Sequence, residues 1–491
     1  MPELEAIIGL EVHAQMNTRT KMFCGCNNDA FGKEPNTTVC EICMGHPGTL
    51  PVPNREAVMK AVKMSLALHC TVNPSSHFDR KHYFYPDLPS GFQISQYDFP
   101  LASKGLVEYD LPSISPTREA GRRGGGVGGG DCRTCRITRL HMENDAGKLT
   151  HRGSVTLCDY NRAGTPLMEI VTEPDLRSSE EAVAFAEELR RMLIAVNASE
   201  ADMFKGMMRF DASISLREKG TEKLNPRSEI KNLNSFKALE RALQYEEARL
   251  RTSWEETGGP LKGDITVGWQ DDEGKTRMLR EKETADDYRY FPEPDIPPLA
   301  INAAMLAGIQ KELPILPREM KESYIAMGLT DAEAYTLLEQ TKIRAIFDAV
   351  QAKTKDAKRT SGLILTQLLG FLKAHGKTPA EAPSVNDILD LLFAIDEGTI
   401  SGNAGKTVLE KMVTTGQSPK DIIVAEGMGQ ISNDSEIEKF VKEAIAKNPK
   451  ALEDYKKGKQ AALGTIVGAV MKITKGQANP AKVNEIIKQH L

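Results

Sequence analysis

Apolar and polar positions alternate in AIIGLEVHAQM, with Ile8, Leu10 and Val12 set against Gly9, Glu11 and His13. A period of two sends successive side chains to opposite faces, so this stretch predicts a half-buried strand with a polar working face. The segment from Ile137 to Glu143 repeats the pattern and would put Arg139, His141 and Glu143 on one face. SEEAVAFAEELRRMLIAVN and SFKALERALQYEEARLR instead carry the spacing of amphipathic helices that pack on such a sheet. The run YFPEPDIPPL, with four prolines, predicts no regular element and marks a boundary.

Beyond residue 299 the pattern becomes almost wholly helical, with Thr330 and Glu333 spaced as a capping box. A last segment begins near Gly429, where Ser435 and Glu438 suggest another capping box. There Ile437, Phe440, Val441, Ala444 and Ile445 form an apolar helical stripe. The Gly464–Gly468 spacing predicts close packing of helices. The pattern therefore divides the chain into an α+β part over residues 1–296, a helical part over 297–428 and a small helical tail over 429–491.

Composition changes this picture little. The 491 residues, 40% apolar and 27% charged, suit a soluble globular protein of about three domains. A net charge of −5 does not advertise nucleic-acid binding. Residues 431–491 differ, holding eleven lysines against seven acidic residues, which fits a solvated helical face or a contact with an anionic partner. No apolar run reaches membrane-spanning length, and the amino-terminal MPELEAIIGLEVH enters a strand pattern at once, unlike a targeting peptide. A cytoplasmic location is the expectation.

Candidate chemistry is concentrated in a few stretches. In CGCNNDAFGKEPNTTVCEIC, Cys24 and Cys26 face a second pair, Cys40 and Cys43, across a loop. Two close thiolate pairs can wrap a tetrahedral ion, which predicts structural zinc. Cys132 and Cys135 have no second pair nearby and read as a loop without a ligand, and Cys70 and Cys158 as core residues. GRRGGGVGGGD resembles a phosphate loop but lacks its lysine and hydroxyl residue, so a flexible hairpin is expected. LHMENDAGK, residues 140–148, follows a strand. Strands carrying Glu11 with His13 and His141 with Glu143, lying side by side, would make a hard-cation site; a surface ion-pair network is the alternative. In DRKHYFYPDLPSGFQISQ, Arg80 and Lys81 beside Tyr83, Phe84 and Tyr85 suit a phosphate backbone and unstacked bases.

Taken in order, IGLEVHAQ, HFDRKHYFYPDLPSGFQISQYDFP, ITRLHMENDAGKL, DYNRAGTPLMEIVTEPD, MRFDASISLR, EIKNLNSFKALERAL, DDYRYFPEPD and KGQANPAKVNEIIKQ resemble the B subunits of the aspartyl/glutamyl-tRNA amidotransferases over nearly the whole chain. The resemblance implies an α+β catalytic cradle domain, an all-α helical domain and a small tail that meets tRNA. It implies a heterotrimer with an amidase A subunit and a small C subunit. It further implies use of ATP and magnesium to phosphorylate the side-chain carboxylate of Glu or Asp misacylated onto tRNA. Carried over residue by residue, it makes Glu11, His13 and Glu143 magnesium ligands, with Lys81 and Lys148 as phosphate-side cations. Asp145, Asn161, Arg162, Arg209, Asp211, Lys231 and Asn232 would line the site, with Arg80, Tyr83 and Tyr85 binding substrate or nucleotide. Asp211 and Lys231 could equally form a structural ion pair. The family commonly carries an acidic residue where this chain has Asn144, and the zinc knot occurs in only part of it.

Overall fold

In the computed structural model the described residues are 2–111, 131–281, 288–428, 434–456, 461–474, 478 and 480–490. They fall into two compact units, Met1–Met320 and Lys321–Leu491. The glycine-rich stretch is outside them apart from Asp131, as are the side chain of Ser435 and residues 475–477 of the last motif.

The first unit is α+β. Its early strands are β1 (Leu4–Gln15), β2 (Thr71–Val72), β3 (Ser75–Ser76), β4 (Asp79–His82), β5 (Phe92–Ser95) and β6 (Ala102–Leu111). There follow β7 (Asp131–Asn144), β8 (Lys148–Arg152), β9 (Val155–Asp159), β10 (Pro166–Thr172) and β11 (Met208–Glu218). The last are β12 (Ser228–Leu233), β13 (Ile265–Gln270), β14 (Lys275–Glu281) and β15 (Phe291–Pro292). Nine of them form one sheet in the order β14-β13-β12-β11-β1-β10-β7-β6-β2. Within it β12 and β13 run parallel. The long β1–β11 ladder is antiparallel, from Leu4 opposite Glu218 to Ala14 opposite Met208.

The alternation read from the sequence decides which face is covered. Ile8, Leu10, Val12 and Ala14 are fully buried and join one core with Leu140, Met168, Ile170, Phe210 and Ile214. Burying each such aliphatic side chain contributes about 1.5–3 kcal/mol. The helices α1 (Arg55–Ala67), α2 (Ser179–Ala195) and α3 (Phe236–Thr257) supply the other half of that core through Ala61, Phe185, Leu189 and Leu239. α2 starts where Ser178 accepts a hydrogen bond from the Glu181 amide, and α3 where Ser235 accepts one from Ala238. Gly258, at φ 72°, closes α3 in the left-handed region that a side chain would strain.

The proline-rich run is not wholly irregular. Phe291 and Pro292 pair with β4 at its edge, where a proline's missing N–H is tolerated. Glu293 and Ile296 are buried behind them, so this run is stapled into the first unit, which extends past it to Met320.

The second unit is helical. The Thr330–Glu333 capping box forms at the start of the helix Asp331–Glu339. Ile437, Val441 and Ala444 are buried in a cluster with Ile466, Val470, Val483 and Ile487, and Phe440 and Ile445 pack against it. The glycine pair departs from expectation: Gly464 and Gly468 are exposed, and a Cβ at either would meet nothing within 4 Å. Among the described residues no helix is long and apolar enough to cross a membrane.

Candidate functional site: a carboxylate–imidazole face on the central sheet

The face opposite the helices carries the chemistry. The two strands expected side by side are not neighbours, because β10 lies between β1 and β7. Register sets Glu169 of β10 between His13 and His141, so a third strand contributes the middle carboxylate. On the other side of β1, Asp211 of β11 stands opposite Glu11, and Arg209 opposite His13.

The side chains converge. His13 Nδ1 lies 3.7 Å from Glu143 and 3.8 Å from Glu169, and its Nε2 is 4.0 Å from Asp211. His141 Nε2 lies 3.3 Å from Glu169 and 3.9 Å from Glu143. Two groups of donor atoms could each hold an ion, Glu11 with His13 and Asp211, and His13 with Glu143 and Glu169. Oxygen donors with one imidazole suit a hard divalent cation.

Electrostatics show what the gathering does. Burial, then the charges of Glu169, Glu229 and Asp211, push the Glu11 carboxyl above its usual range. Burial opposes charge on His13, but Glu143, Glu169 and Asp211 outweigh it and raise its pKa to about 9. Glu169 is also desolvated, yet His141, His13 and Lys81 hold it well below the ordinary glutamate value. Desolvation works against the Lys81 ammonium too, but Tyr290, Glu143 and Glu169 keep it protonated. Two polar atoms on this face of β7, Arg139 Nε and His141 Nδ1, are buried without a hydrogen-bond partner among the described residues.

Lys231 flanks the cluster and forms the ion pair anticipated as an alternative, 2.8 Å from Asp211 and 2.7 Å from Glu229. It is aimed by a bulge: β12 shifts register against β11 between Phe210 and Ala212, and Asn232 sits there at φ 71°. Asparagine tolerates that left-handed conformation better than most residues, so Asn232 acts through the backbone. Its side chain is exposed.

Other expected residues lie around the cluster. Arg80 points away from Lys81, as neighbours on a strand do. It grips buried Glu293 through two hydrogen bonds of 2.7 and 2.8 Å and lies over the Phe92 ring, tying β15, β4 and β5 together. Asp145 accepts from Gln15 and Arg209, and those contacts with Arg162 keep its carboxyl low despite burial. Arg162 donates to the carbonyls of Ala146 and Gly147. Asn144 also faces away from Glu143 and accepts from the Ile94 amide at 2.8 Å, so its missing charge falls outside the cluster. Lys148, exposed at the start of the β8–β9 hairpin, has no described contact with the carboxylates. Tyr83 lies near Lys81 and Tyr288, while Tyr85 is exposed.

Cys24, Cys26, Cys40 and Cys43 come together, with all four sulfurs within 4.8 Å of one another, the donor set of a closed zinc site. Asn161 anchors the loop between the pairs, accepting from the Thr38 amide and donating to the Glu34 carbonyl. Cys132 and Cys135 lie within β7 and not in a loop; the first is exposed and the second buried. Cys70 is buried, while Cys158 is only half-buried in β9 and no core residue.

Sequence reasoning missed Glu169. Its signal was present in PLMEIVT, a single charge inside an otherwise apolar strand, where an ionised group needs partners.

A family profile described as the GatB/GatE catalytic domain matches residues 6–307, and a second, the GatB domain, matches 345–491. The chain is 44% identical to the B subunit of the aspartyl/glutamyl-tRNA(Asn/Gln) amidotransferase of Moorella thermoacetica, over 100% of both chains. It is 42% identical to that of Carboxydothermus hydrogenoformans, over 100% of this chain and 99% of the relative. Identity to the Persephonella marina protein is 44% over 100% of both. The chain belongs to the GatB family, the B subunits of the aspartyl/glutamyl-tRNA amidotransferases.

Proposed function

We propose that this chain is the kinase and transamidase subunit of a cytoplasmic, glutamine-hydrolysing aminoacyl-tRNA amidotransferase, a ligase. The observation that carries this reading is the convergence of Glu11, Glu143, Glu169 and Asp211 with two histidines on one sheet face, flanked by Lys81 and Lys231. Phosphoryl transfer needs charge neutralisation and in-line positioning more than covalent help from the protein. A magnesium ion held by Glu11, His13 and Glu143, with Glu169 and Asp211 beside them, would neutralise phosphate charge there. Lys81 supplies a fixed cation next to Glu143 and Glu169, supporting its place on the phosphate side.

The terminal phosphoryl group of ATP passes to the side-chain carboxylate of Glu or Asp misacylated onto tRNA, leaving ADP. Ammonia then displaces phosphate from the acyl phosphate and gives the amide. The ammonia comes from glutamine hydrolysed by an amidase A subunit, in a heterotrimer completed by a small C subunit. The cysteine knot holds structural zinc and takes no part in the reaction. The division into a cradle over 1–296, a helical domain over 297–428 and a tRNA-meeting tail over 429–491 belongs to the same reading. A non-catalytic tRNA-binding scaffold is the rival, and it gives the gathered carboxylates no use.

The test uses the chain co-purified with its amidase and small partners, Glu-tRNA, magnesium and ATP labelled at the γ-phosphate. Wild type is expected to release phosphate, and Glu11→Ala to lose that release while keeping its tRNA affinity. Equal release from both would refute the assignment.

A further inference from the structure

Lys21 is among the largest fully buried side chains of the protein, with 0% of its surface exposed. A buried ammonium ordinarily pairs with a carboxylate, because an uncompensated charge away from water is costly. Among the described residues Lys21 makes no such pair. Its Nζ has two partners instead, the Cys43 sulfur at 3.7 Å and the Tyr160 carbonyl oxygen at 3.4 Å.

The surrounding backbone fixes that placement. The Lys21 amide donates to the Cys26 carbonyl at 3.0 Å, and the Met22 amide donates to the Gly164 carbonyl at 2.8 Å. Gly164 has φ 87°, and a Cβ there would lie 3.3 Å from Cys43 Cβ and 3.4 Å from Lys21 Cδ. Glycine at 164 thus lets the lysine stem and Cys43 lie together against the segment leading into β10. Charge supplies the reason for the contact. Four thiolates around one divalent ion leave two negative charges in excess. The Cys40 amide also donates to Cys43 Sγ, at 3.1 Å, but it carries no charge. Among the described residues, Lys21 is the one cation that donates to a sulfur of the knot.

We propose that Lys21 is a counter-charge built into the cysteine knot, its ammonium held against Cys43 so that the knot keeps its ion. The proposal rests on the zinc reading of the knot and adds the residue that sets how firmly the ion is held. Hydrogen-bonded partners of metal ligands commonly change metal affinity by about 10–100-fold. Bound metal keeps the thiolates deprotonated, so the charge that Lys21 answers is present when the ion is. Without the ion the thiols take back protons, and the buried ammonium is left with the Tyr160 carbonyl. Lys21 therefore favours the loaded knot and opposes the empty one.

The test compares two variants that remove the charge. Lys21→Met fills the same space with an apolar chain. Lys21→Gln keeps a hydrogen-bond donor, and it also serves should the first variant fold poorly. Zinc retention by the full-length chain is measured by competition with a chromogenic chelator, and the melting temperature is taken both loaded and stripped of zinc. Both variants are expected to hold zinc at least about tenfold more weakly. Each should lower the melting temperature of the loaded protein and leave that of the stripped protein unchanged or raised. Zinc affinity within about twofold of wild type in both variants would overturn the proposal. So would an equal fall in melting temperature with and without zinc, the mark of a side chain that only fills space. Zinc held normally by Lys21→Gln but lost by Lys21→Met would assign the effect to the hydrogen bond and overturn the counter-charge. Failure of the zinc reading looks different: metal analysis would find no zinc in wild type, and the proposal would fall with it.

Discussion

Among the described residues, the two places that could hold a metal are built in opposite ways. The cysteine knot draws all four donors from residues 24–43, one loop's length of chain. The carboxylate–imidazole face draws its donors from β1, β7, β10 and β11, spanning Glu11 to Asp211. The knot can assemble locally, and its four thiols satisfy a single ion. The face exists only once the sheet has formed, and the fold then holds buried like charges against one another, as the raised Glu11 carboxyl records. A site of the first kind stabilises structure; a site of the second kind is suited to a ligand that relieves the repulsion.

The largest effect expected from breaking this contrast is at Glu169. It stands on the middle strand between the two histidines, so Glu169→Gln removes the charge at the centre of the face while preserving shape. Phosphate release should fall by about 10²–10³-fold, the usual cost of losing one preorganised electrostatic partner. The melting temperature should fall as well, because His13, His141 and Lys81 lose a buried counter-charge, so the rates are compared below both melting transitions. A Glu169→Gln enzyme working at the wild-type rate would mean that β10 is only a spacer.

Breaking the knot should separate stability from chemistry. Cys40→Ser removes one of four thiolates, and the expected result is lost zinc, measured by metal analysis, with a lower melting temperature. Asn161 ties this loop to the segment leading into β10, so some loss of rate is expected. Below the melting transition it should stay under about tenfold, smaller than at Glu169. A Cys40→Ser protein as inactive as Glu169→Gln, with unchanged stability, would erase the distinction.

The same contrast explains what could be read from the chain. The β1 alternation, the α2 and α3 helices, the cysteine pairs and the Thr330–Glu333 box all depend on residues within a turn, a strand or a loop of one another, so their spacing carries them. Strand order does not work that way. Nothing in the spacing of Glu11, His13, His141 and Glu143 says that β10 comes between their strands, and Glu169 went unassigned for that reason. Alternation turns Arg80 away from Lys81 and Asn144 away from Glu143, so neither side chain joins the carboxylate cluster. Asn232 was in the right region for another reason, since the bulge that needs it appears only when β11 and β12 are paired.

The smallest effect is at Glu333, a carboxylate held by Thr330 at its own helix start and by Lys358 and Ser361 of a later turn. Burial opposes its ionisation, but hydrogen bonds from the Thr330 amide and hydroxyl, Ser361 and Lys358 outweigh this and hold its pKa at about 2. Because the folded value lies below the unfolded one, the ionised carboxylate adds stability that is present above about pH 4.3 and is lost as pH falls toward 2. Glu333→Gln keeps the reach and removes the charge, so it should destabilise by about 0.5 kcal/mol near neutral pH, the scale of a charge at a helix start. Urea denaturation of both proteins across pH should show that difference shrinking toward zero as acid protonates the wild type. Glu11 provides the opposite sign, since neighbours that lower Glu333 are replaced there by like charges that raise it. Removing the Glu11 charge should therefore stabilise the metal-free fold or leave it unchanged. If Glu11→Gln instead destabilised the metal-free protein more than Glu333→Gln, the face would be a structural network after all.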